Sequence, residues 1–516
     1  MVWQPEIDEL EHRKQLAAQM GGEEGIARQR ARGKLTVRER IAALADPDSF
    51  DEIGGLTGTG KYGNDQKLES FTPESYVVGT CTLNGRKVIV NGGDFTIRGG
   101  SGGYGGKSTY AEQMAQEWLL PYIRLLDATG GSVRSFEQIG RTYAISNVVG
   151  VQAARLLGMV PIASAVLGSV AGGPAIEACI SHFSVMVKGI SQVFPGGPPV
   201  VKAALGIDIT KEELGDERTQ VRQGGVIDNL AETEEEALDM LRRFLSYLPS
   251  NVWEMPPHIE PADDRDRRDE ELLSIIPRET RKVYDPYAIL SHVLDADSFF
   301  EMGKLYGRAR IIGLARVNGY PVGVMINNPK FQGGTMDMAA GLKVVRFLNL
   351  CDTFHLPLIY LADEPGFMVG IEAQKQGIVR AGARLVHVTG RTRMPWMTIV
   401  IRQTYGVAGQ LNLRPSGMYR RYAWPSGNWG SMHIQGGTYA AYRREIDSAP
   451  DPDAKLAEIE RRLQALASPF RTAETFSIED IIDPRDTRPL LADFVEMAQP
   501  VLKTQLGPTM VPAYEP

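Results

Sequence analysis

Cysteine is scarce in this chain of 516 residues, which contains only three, Cys81, Cys179 and Cys351. They lie far apart and no C-x-x-C pair occurs, so the sequence supports neither a thiolate zinc site nor a disulfide framework. Each lies among apolar or small residues, which favours the role of a small buried hydrophobic residue. We therefore predict that the chain binds no metal.

An excess of positive charge is also missing, since Lys and Arg number 56 against 63 Asp and Glu, a formal net charge of −7. This balance argues against a general nucleic-acid or membrane surface, although it allows a local basic pocket for an anionic ligand. No transmembrane run occurs, and acidic residues such as Glu6 and Asp8 are untypical of a signal or transit peptide. We predict a cytoplasmic protein, or a mitochondrial-matrix protein whose leader has been removed, with no nucleic-acid or membrane partner.

Apolar residues make up 43% of the chain and charged residues 23%, as in a globular protein, and the length is too great for one hydrophobic core. Between residues 249 and 283 lie Pro256-Pro257, Pro261 and the charged run Asp263–Glu271, a composition typical of a linker. We predict an N-terminal domain over residues 1–255, a linker over 256–282 and a C-terminal domain over 283–516.

Parts of the first half recur in the second half. The matching segments are Asp46–Phe50 with Asp295–Phe299, Asn84-Gly85 with Asn318-Gly319, and Gly99-Gly100-Ser101 with Gly333-Gly334-Thr335. In each half, strand-like runs flank an Asn-Gly pair, as in a β-hairpin, and strand–helix patterns follow. The sequence therefore predicts two α/β domains that derive from an internal repeat.

One stretch has the pattern of a strand, a glycine-rich turn and a helix. Ile162–Leu167 is a short apolar run, Gly168–Gly173 contains three glycines, and Pro174 suits the first turn of a helix. The amides of Gly172 and Gly173 would then be unpaired at the helix start and could face an anionic oxygen. A tight turn that merely requires glycine is the alternative.

This pattern has a second copy at Met394–Ala408. Pro395 and Gly406 correspond to Pro161 and Gly172 at the same offset along the chain. An apolar run again leads into a turn of small residues, so the repeat offers two related turns rather than one.

The motifs of both halves together resemble the carboxyltransferase subunit of biotin-dependent acyl-CoA carboxylases, of the propionyl-CoA carboxylase β-subunit type. They are Gly33-Lys34-Leu35-Thr36, Asp94-Phe95-Thr96, Ala171-Gly172-Gly173, Asp363-Glu364-Pro365-Gly366-Phe367, Gly377-Ile378-Val379-Arg380 and Tyr422-Ala423-Trp424-Pro425. Each is weak alone, but their order is specific and the resemblance covers nearly the whole chain. It implies two tandem crotonase (ClpP/crotonase-like) domains and a homo-hexamer, with the active site between the N-terminal domain of one subunit and the C-terminal domain of another.

The resemblance also implies a reaction, the transfer of a carboxyl group from carboxybiotin to the α-carbon of an acyl-CoA thioester. Negative charge then develops on the thioester oxygen and on the ureido oxygen of biotin, and backbone amides can stabilise both. We assign Gly172 and Gly173 to the acyl-CoA carbonyl and Val407 and Ala408 to biotin. The chain has no Met-Lys-Met biotin-attachment motif, so biotin must arrive on a partner, a biotin carboxylase and biotin carboxyl carrier subunit.

The phosphates of coenzyme A require positive charge, and the candidate residues are Lys34, Arg38, Arg40 and Arg98. Each of them could equally be a solvated or structural residue. Gly99-Gly100-Ser101, at a predicted helix start, is a candidate phosphate or pantetheine contact, with a plain N-cap as the alternative. The nearby histidines, His182, His355 and His387, fit helix-face or capping roles better than that of a general base.

The second turn departs from the family pattern Tyr-Gly-Gly-Ala, because Val407 stands at the second glycine. Valine keeps its backbone amide, but its branched side chain restricts the backbone. We expect Gly406 and Gln410 to bind substrate, and Gln410 lies where the family often has a residue that tunes acyl-chain choice. Trp429, Met432 and His433 also differ from the family's small residues, either by drift or because they reshape the pocket.

Three hypotheses follow from these departures. The first is a carboxyltransferase that acts with a biotin-carrying partner. The second is a biotin-independent acyl-CoA decarboxylase on the same scaffold, which would use the first turn alone. The third is a non-catalytic subunit that only scaffolds a complex, against which the retained Gly172-Gly173 turn argues.

Overall fold

The computed structural model describes residues 2–101, 106–131, 133, 136–137, 140–142, 151–261, 263–279, 282–412 and 417–509. The chain separates into two compact units. The N-terminal unit extends to Glu254 and includes Gly507, and the C-terminal unit is Met255–Leu506.

The N-terminal unit contains a seven-stranded mixed sheet in the order β1-β4-β5-β6-β7-β9-β11. Its strands are β1 (Asp51–Ile53), β2 (Gly58–Tyr62), β3 (Leu68–Pro73), β4 (Tyr76–Leu83), β5 (Arg86–Gly93), β6 (Tyr122–Leu126), β7 (Ile162–Val166), β8 (Ser169–Ala171), β9 (Phe183–Val187), β10 (Gln192–Phe194) and β11 (Asn229–Ala231). The first three sheet strands are antiparallel and the others parallel, while β2–β3 and β8–β10 form small separate sheets. Strands β6 and β7 are buried throughout, as expected for parallel strands covered on both faces.

The helices of this unit are α1 (Gln4–Ala18), α2 (Gly22–Arg30), α3 (Val37–Leu44), α4 (Lys107–Trp118), α5 (Val151–Leu156), α6 (Gly173–Cys179), α7 (Pro198–Leu205), α8 (Lys211–Gly215) and α9 (Glu234–Ser246). A 3-10 turn covers Arg98–Gly100 and a π-helical turn covers Arg218–Gln223. Thr36 and Glu39 form a capping box that starts α3. Helix α9 packs on β9 and against α3, so the N-terminal segment is part of the same core.

The C-terminal unit repeats this plan in a sheet of order β12-β13-β14-β15-β16-β17-β19, with β18 beside β16. Its strands are β12 (Phe300–Met302), β13 (Arg310–Val317), β14 (Tyr320–Asn327), β15 (Leu358–Glu364), β16 (Trp396–Tyr405), β17 (Tyr419–Ala423), β18 (Asn428–Gly430) and β19 (Asp480–Ile481). Again the first three strands are antiparallel and the others parallel.

The helices of the C-terminal unit are α10 (Pro286–Val293), α11 (Met338–Thr353), α12 (Ile371–Lys375), α13 (Ile378–Arg391), α14 (Gly406–Gly409), α15 (Ile434–Asp447), α16 (Pro452–Gln464), α17 (Pro469–Ala473) and α18 (Thr487–Lys503). Shorter 3-10 turns cover Glu270–Leu273, Gln332–Gly334, Gln410–Asn412 and Pro484–Asp486. Phe494 and Val495 of α18 pack on sheet residues such as Ile326 and Leu361. Leu272, within the proline-rich and charged stretch, belongs to this core as well.

The hairpins that open the two sheets have the same construction. The Asp46 carboxylate accepts the amides of Asn84 and Gly85 at 2.9 and 2.8 Å, and the Asp295 carboxylate accepts those of Asn318 and Gly319 at 3.0 and 2.8 Å. An acidic side chain thus closes each Asn-Gly turn, which is the structural counterpart of the repeat in the sequence. In the described part of the chain, no helix combines the length and the apolar character needed to span a membrane.

Candidate functional site

The first turn, residues 171–173, joins β8 to α6. The sequence predicts one turn over 168–173, whereas the structure forms the short strand β8 within that stretch, because it pairs with β10. Gly172 has a φ of +69°, a conformation that residues with a side chain rarely adopt, so glycine is required here by the backbone. Its amide donates to the Phe194 carbonyl at 3.2 Å. The prediction of two unpaired amides is therefore wrong for Gly172, because the small β8–β10 sheet extends to it. The Gly173 amide has no acceptor among the described residues.

The loop after β6 connects the first turn with the Gly99–Ser101 segment. Thr129 donates both its amide and its hydroxyl to the Gly99 carbonyl, at 3.0 and 2.9 Å. The Ala171 amide donates to the Ala128 carbonyl at 3.3 Å. A Cβ on Gly130 would lie 3.1 Å from the Ala171 carbonyl oxygen, so this loop packs tightly against the turn. Two of the sequence-predicted sites are thus brought together by one loop.

Gly99, Gly100 and Ser101 do not start a helix, contrary to prediction. Gly99 and Gly100 belong to the 3-10 turn and Ser101 is its C-cap, and the next described helix, α4, begins at Lys107 with Gly106 as its N-cap. The Ser101 hydroxyl donates to the Arg98 carbonyl at 2.7 Å, so it closes its own turn rather than capping a helix. The Arg98 side chain is exposed and forms no ion pair within the described ranges.

A cavity of about 490 Å³ lies beside the first turn. Its walls are mainly apolar, from Phe194, Pro199, Val200 and Ile209, and Ala171 of the turn also lines it. Such a mixture of apolar walls and few polar groups is typical of a small-molecule pocket.

Lys34 is not free to bind a phosphate. It is 7% exposed, and its Nζ lies 2.6 Å from Oδ2 of Asp127, at the carboxyl end of β6. Burial lowers the pKa of Lys34, and the Asp127 charge opposes that shift. Arg40, fully buried, pairs with the same Asp127 carboxylate at 2.9 Å and with Glu234 at 2.5 Å. Removing Lys34 from this cluster would leave buried negative charge less compensated, so its role is structural.

Arg38 also has a partner, since its guanidinium pairs with Glu52 at 2.8 Å. Of the four cations considered for coenzyme A, only Arg98 thus has an exposed side chain without an ion pair among the described residues.

The second turn, residues 405–408, joins β16 to α14 and repeats the backbone of the first. Gly406 has a φ of +62°, close to that of Gly172. The amides of Val407 and Ala408 have no acceptor in the described part of the chain. Val407 is 55% exposed, so its side chain does not cover the turn from inside, whereas Ala408 is buried.

Loop packing is also repeated at the second turn. A Cβ on Gly366, in the loop after β15, would lie 3.8 Å from the Tyr405 carbonyl oxygen, a looser contact than the 3.1 Å of Gly130 at Ala171 in the first half. Gly366 has a φ of +125°, which again restricts this position to glycine.

A cavity of about 330 Å³ adjoins the second turn and is lined by Gly406, Gln410, Trp429 and Thr472, among others. The Trp429 indole donates to the Thr472 hydroxyl at 3.0 Å, so one wall is held by a hydrogen bond. Gly406 and Gln410, both predicted to bind substrate, thus line the same cavity.

His182 has structural contacts at both ring nitrogens, in keeping with the capping or helix-face role that the sequence favours. His182 is fully buried, accepts the Ile162 amide at Nδ1 at 2.9 Å and donates from Nε2 to the Leu157 carbonyl at 2.8 Å. His355 is buried, and His387 lies exposed on α13.

Sequence reasoning missed two buried carboxylates at equivalent places. Asp127 directly follows the central strand β6 and Asp363 is the next-to-last residue of the central strand β15, in each case just before the loop that packs on the turn. Asp363 is fully buried, pairs with Arg402 at 2.9 Å and accepts the Tyr284 hydroxyl at 2.8 Å. The signal was present, since an aspartate ends an apolar strand run in both halves.

Comparison with known proteins identifies the family. The carboxyl transferase domain model matches residues 28–504. The propionyl-CoA carboxylase carboxyltransferase subunit of Haloferax mediterranei is 34% identical over 513 residues, 98% of this chain and 98% of that protein. The methylmalonyl-CoA decarboxylase subunit alpha of Veillonella parvula is 30% identical over 480 residues, 92% of each chain.

Among solved structures, a crystal structure of transcarboxylase 12S is similar, with a TM-score of 0.88 and 30% identity over 100% of this chain and 98% of that one. That structure is described as a hexamer with methylmalonyl-coenzyme A and methylmalonic acid bound. The predicted fold class, tandem α/β units of the crotonase-like type, is thereby confirmed. The chain belongs to the carboxyl transferase family, that of the carboxyltransferase subunits of acyl-CoA carboxylases.

Proposed function

We propose that this chain moves a carboxyl group from carboxybiotin to the α-carbon of an acyl-CoA thioester, with one backbone turn serving each reactant. The observation that carries the proposal is the pair of equivalent strand-to-helix turns at Gly172 and Gly406, which share a positive φ and a glycine loop packed alongside. Each presents amides without an acceptor among the described residues, as stabilisation of an oxyanion requires.

The first turn takes the acyl-CoA carbonyl in this proposal. The Gly173 amide is the donor, and Gly172 supplies the conformation that exposes it. One preorganised donor of this kind is worth about 3 kcal/mol in the transition state. The neighbouring cavity of about 490 Å³ suits the acyl or pantetheine portion, because its walls are largely apolar.

Coenzyme A contacts extend this site along the loop after β6. Gly99, Gly100 and Ser101 lie on the other side of Thr129, and Arg98 offers to a phosphate a guanidinium that has no ion pair among the described residues. Lys34 is left out of the proposed contacts because Asp127 engages it.

The second turn fits the biotin side. Val407 and Ala408 offer two amides, and Gly406 and Gln410 line a cavity of about 330 Å³, which is within the usual size range of small-molecule pockets. When bound, carboxybiotin supplies the activated carboxyl group. The role of this chain is to hold the ureido oxygen with Val407 and Ala408 and to exclude water from the reacting carbons.

Assembly and location complete the proposal. Residues 1–255 serve the acyl-CoA, residues 283–516 serve biotin and residues 256–282 link them, in a cytoplasmic homo-hexamer that works with a biotin carboxylase and biotin carboxyl carrier subunit. The hexameric description of the similar 12S structure supports the assembly, and the names of the relatives support the biotin-dependent partner.

An acyl-CoA decarboxylase is the second candidate, favoured by the similarity to a methylmalonyl-CoA decarboxylase subunit. It would release CO2 from a malonyl-type thioester at the first turn without a carboxylated biotin as donor. The altered residue at the second turn, Val407, would then be without consequence for the reaction.

The test is to mix the purified protein with a carboxylated biotin carrier and a panel of acyl-CoA thioesters. Carboxylated thioester is the expected product. Release of CO2 from malonyl-type thioesters in the absence of biotin would replace the proposal by the decarboxylase. Inactivity in both assays, from protein that binds the thioesters, would indicate a scaffolding subunit.

A further inference from the structure

The residue that ends β16, Tyr405, is held from three sides immediately before the second turn. It is 7% exposed, and its hydroxyl donates to Oδ1 of Asn428 at 2.7 Å. Gly430 lies beneath its ring, since a Cβ there would be 3.7 Å from Tyr405 Cε1. Strand β18 pairs in parallel with the last residues of β16, and Gly430 is the partner of Tyr405. Asn428 and Gly430 therefore lie beside the strand end that leads into the turn.

The remaining contact comes from His433, at the N-cap of α15. Its ring lies on the Tyr405 ring with 3.8 Å between centroids and a tilt of 35°. Its Nε2 lies 3.1 Å from the Pro365 carbonyl oxygen, and because a carbonyl only accepts, Nε2 carries the proton. His433 therefore contacts both the strand that enters the second turn and the loop that packs beside it.

These contacts have a geometric consequence for the amides of the turn. The loop of Pro365 and Gly366 begins directly after the last pairing of β15 with β16, between Glu364 and Thr404, and approaches the Tyr405 carbonyl at van der Waals distance. His433 bridges the two by a hydrogen bond on one side and a ring contact on the other. Val407 and Ala408 follow Tyr405 directly, so a shift of its backbone moves both donors.

We propose that His433 is a positioning residue that sets the orientation of the Val407 and Ala408 amides by clamping Tyr405 against the Pro365 loop. The inference rests on the proposed function of the second turn. The clamp acts through backbone placement, and His433 itself neither takes up a proton from substrate nor contacts the transferred carboxyl group.

Two substitutions separate the two contacts. His433→Phe keeps a ring on Tyr405 and removes the donor to Pro365, whereas His433→Gln keeps an N–H at the position of Nε2 and removes the ring. We expect each to lower kcat about three- to tenfold, the range for loss of one hydrogen bond or one ring contact. His433→Ala, which removes both, should lower kcat more than either, by about 10–100-fold.

Turnover is measured on the full-length protein with a carboxylated biotin carrier and the acyl-CoA that gives the highest rate in the panel. Rates are divided by the number of acyl-CoA-binding sites from calorimetry, so that misfolded protein does not count. The KM for the carrier should rise in the variants while the KM for acyl-CoA stays as in the unchanged protein. His387→Gln, an exposed histidine on α13, is the matched control and should behave as the unchanged protein.

Unchanged kcat and carrier KM in all three His433 variants would overturn the inference, as would an equal rise of both KM values. Val407→Pro, which deletes one donor, tests the proposed function separately. A slowed Val407→Pro protein beside normal His433 variants would refute the clamp alone. A normal Val407→Pro protein would refute the proposed role of the turn.

Discussion

The guanidinium of Arg124 donates to the carbonyl of Ile180 at 2.8 Å, at the opposite end of α6 from the Gly173 amide. The same nitrogen donates to the Glu177 carbonyl, and the other terminal nitrogen pairs with Glu112 at 3.1 Å. Arg124 is fully buried on β6. Because α6 spans only about 10 Å, this anchor on the sheet also fixes where its first amide lies.

Arg124→Lys is expected to reduce both stability and turnover. A lysine keeps the positive charge near Glu112. It lacks the guanidinium group whose separate N–H donors also reach the Glu177 and Ile180 carbonyls. We expect a loss of about 2 kcal/mol in the free energy of unfolding and a fall in kcat beyond the loss of folded protein. Thermal unfolding together with kcat per acyl-CoA-binding site measures both. A fall in stability with unchanged kcat per site would show that Arg124 stabilises the fold but does not position the first turn.

Gly173→Pro should remove the amide of the first turn that has no acceptor among the described residues, while leaving its helix intact. Proline is tolerated at the first helical positions, and α7 in this chain begins with Pro198-Pro199. We expect kcat to fall about a hundredfold, with little change in the affinity for acyl-CoA. Steady-state kinetics and calorimetry provide the two values, and Pro452→Ala, at the exposed start of α16 in the C-terminal unit, is the control at a helix start. A normal kcat would remove Gly173 from the site.

Lys34 and Arg98 should respond oppositely to substitution. Lys34→Met leaves Asp127 with fewer positive partners, so we expect a loss of about 3 kcal/mol of stability and an unchanged KM for acyl-CoA. Arg98→Ala should leave the unfolding temperature unchanged and raise that KM about tenfold, the effect of losing one charge-assisted contact. The opposite pattern of unfolding temperatures and KM values would restore Lys34 as the phosphate ligand.

The Asp46 hairpin should weaken in acid. Hydrogen bonds from Gly85, Thr82 and Asn84 lower the pKa of Asp46 in the folded protein. Its contribution to stability is therefore present above the unfolded pKa, about 4, and is lost as pH falls through the folded value. The Asp46→Asn protein has no titrating carboxyl at this position. Its unfolding temperature should therefore fall less steeply than that of the unchanged protein as the pH is lowered from about 5 to about 2. Parallel curves for the two proteins would contradict this.

The strand-to-helix turns and the repeat were predictable from the sequence because they depend on local patterns. Apolar runs, glycine at a positive φ and proline at a helix start are all read within a few residues. The hydrogen bond from Gly172 to Phe194 was not predictable, because it depends on β10, which pairs with β8 from further along the chain. The same holds for Lys34, whose partner Asp127 is distant in sequence.

The prediction that Gly99-Gly100-Ser101 starts a helix was wrong for a related reason. A serine after two glycines fits both a helix N-cap and a closed turn. The hydrogen bond from the Ser101 hydroxyl to the Arg98 carbonyl, at 2.7 Å, shows that the turn is closed, and the sequence alone does not reveal this bond. The family, by contrast, followed from the order of several short motifs and did not depend on any one contact.

The charge cluster around Asp127 bears on the order in which the chain folds. Arg40 is separated from Glu234 by 194 residues, whereas Arg402 in the other half reaches Asp363 across 39. Closing the longer span carries a larger entropic penalty, and on a ribosome it must wait until Glu234 has been synthesised. The N-terminal copy therefore completes its charged core only when almost all of its own sequence has emerged, while the later copy pairs Asp363 with Arg402 from the neighbouring strands β15 and β16.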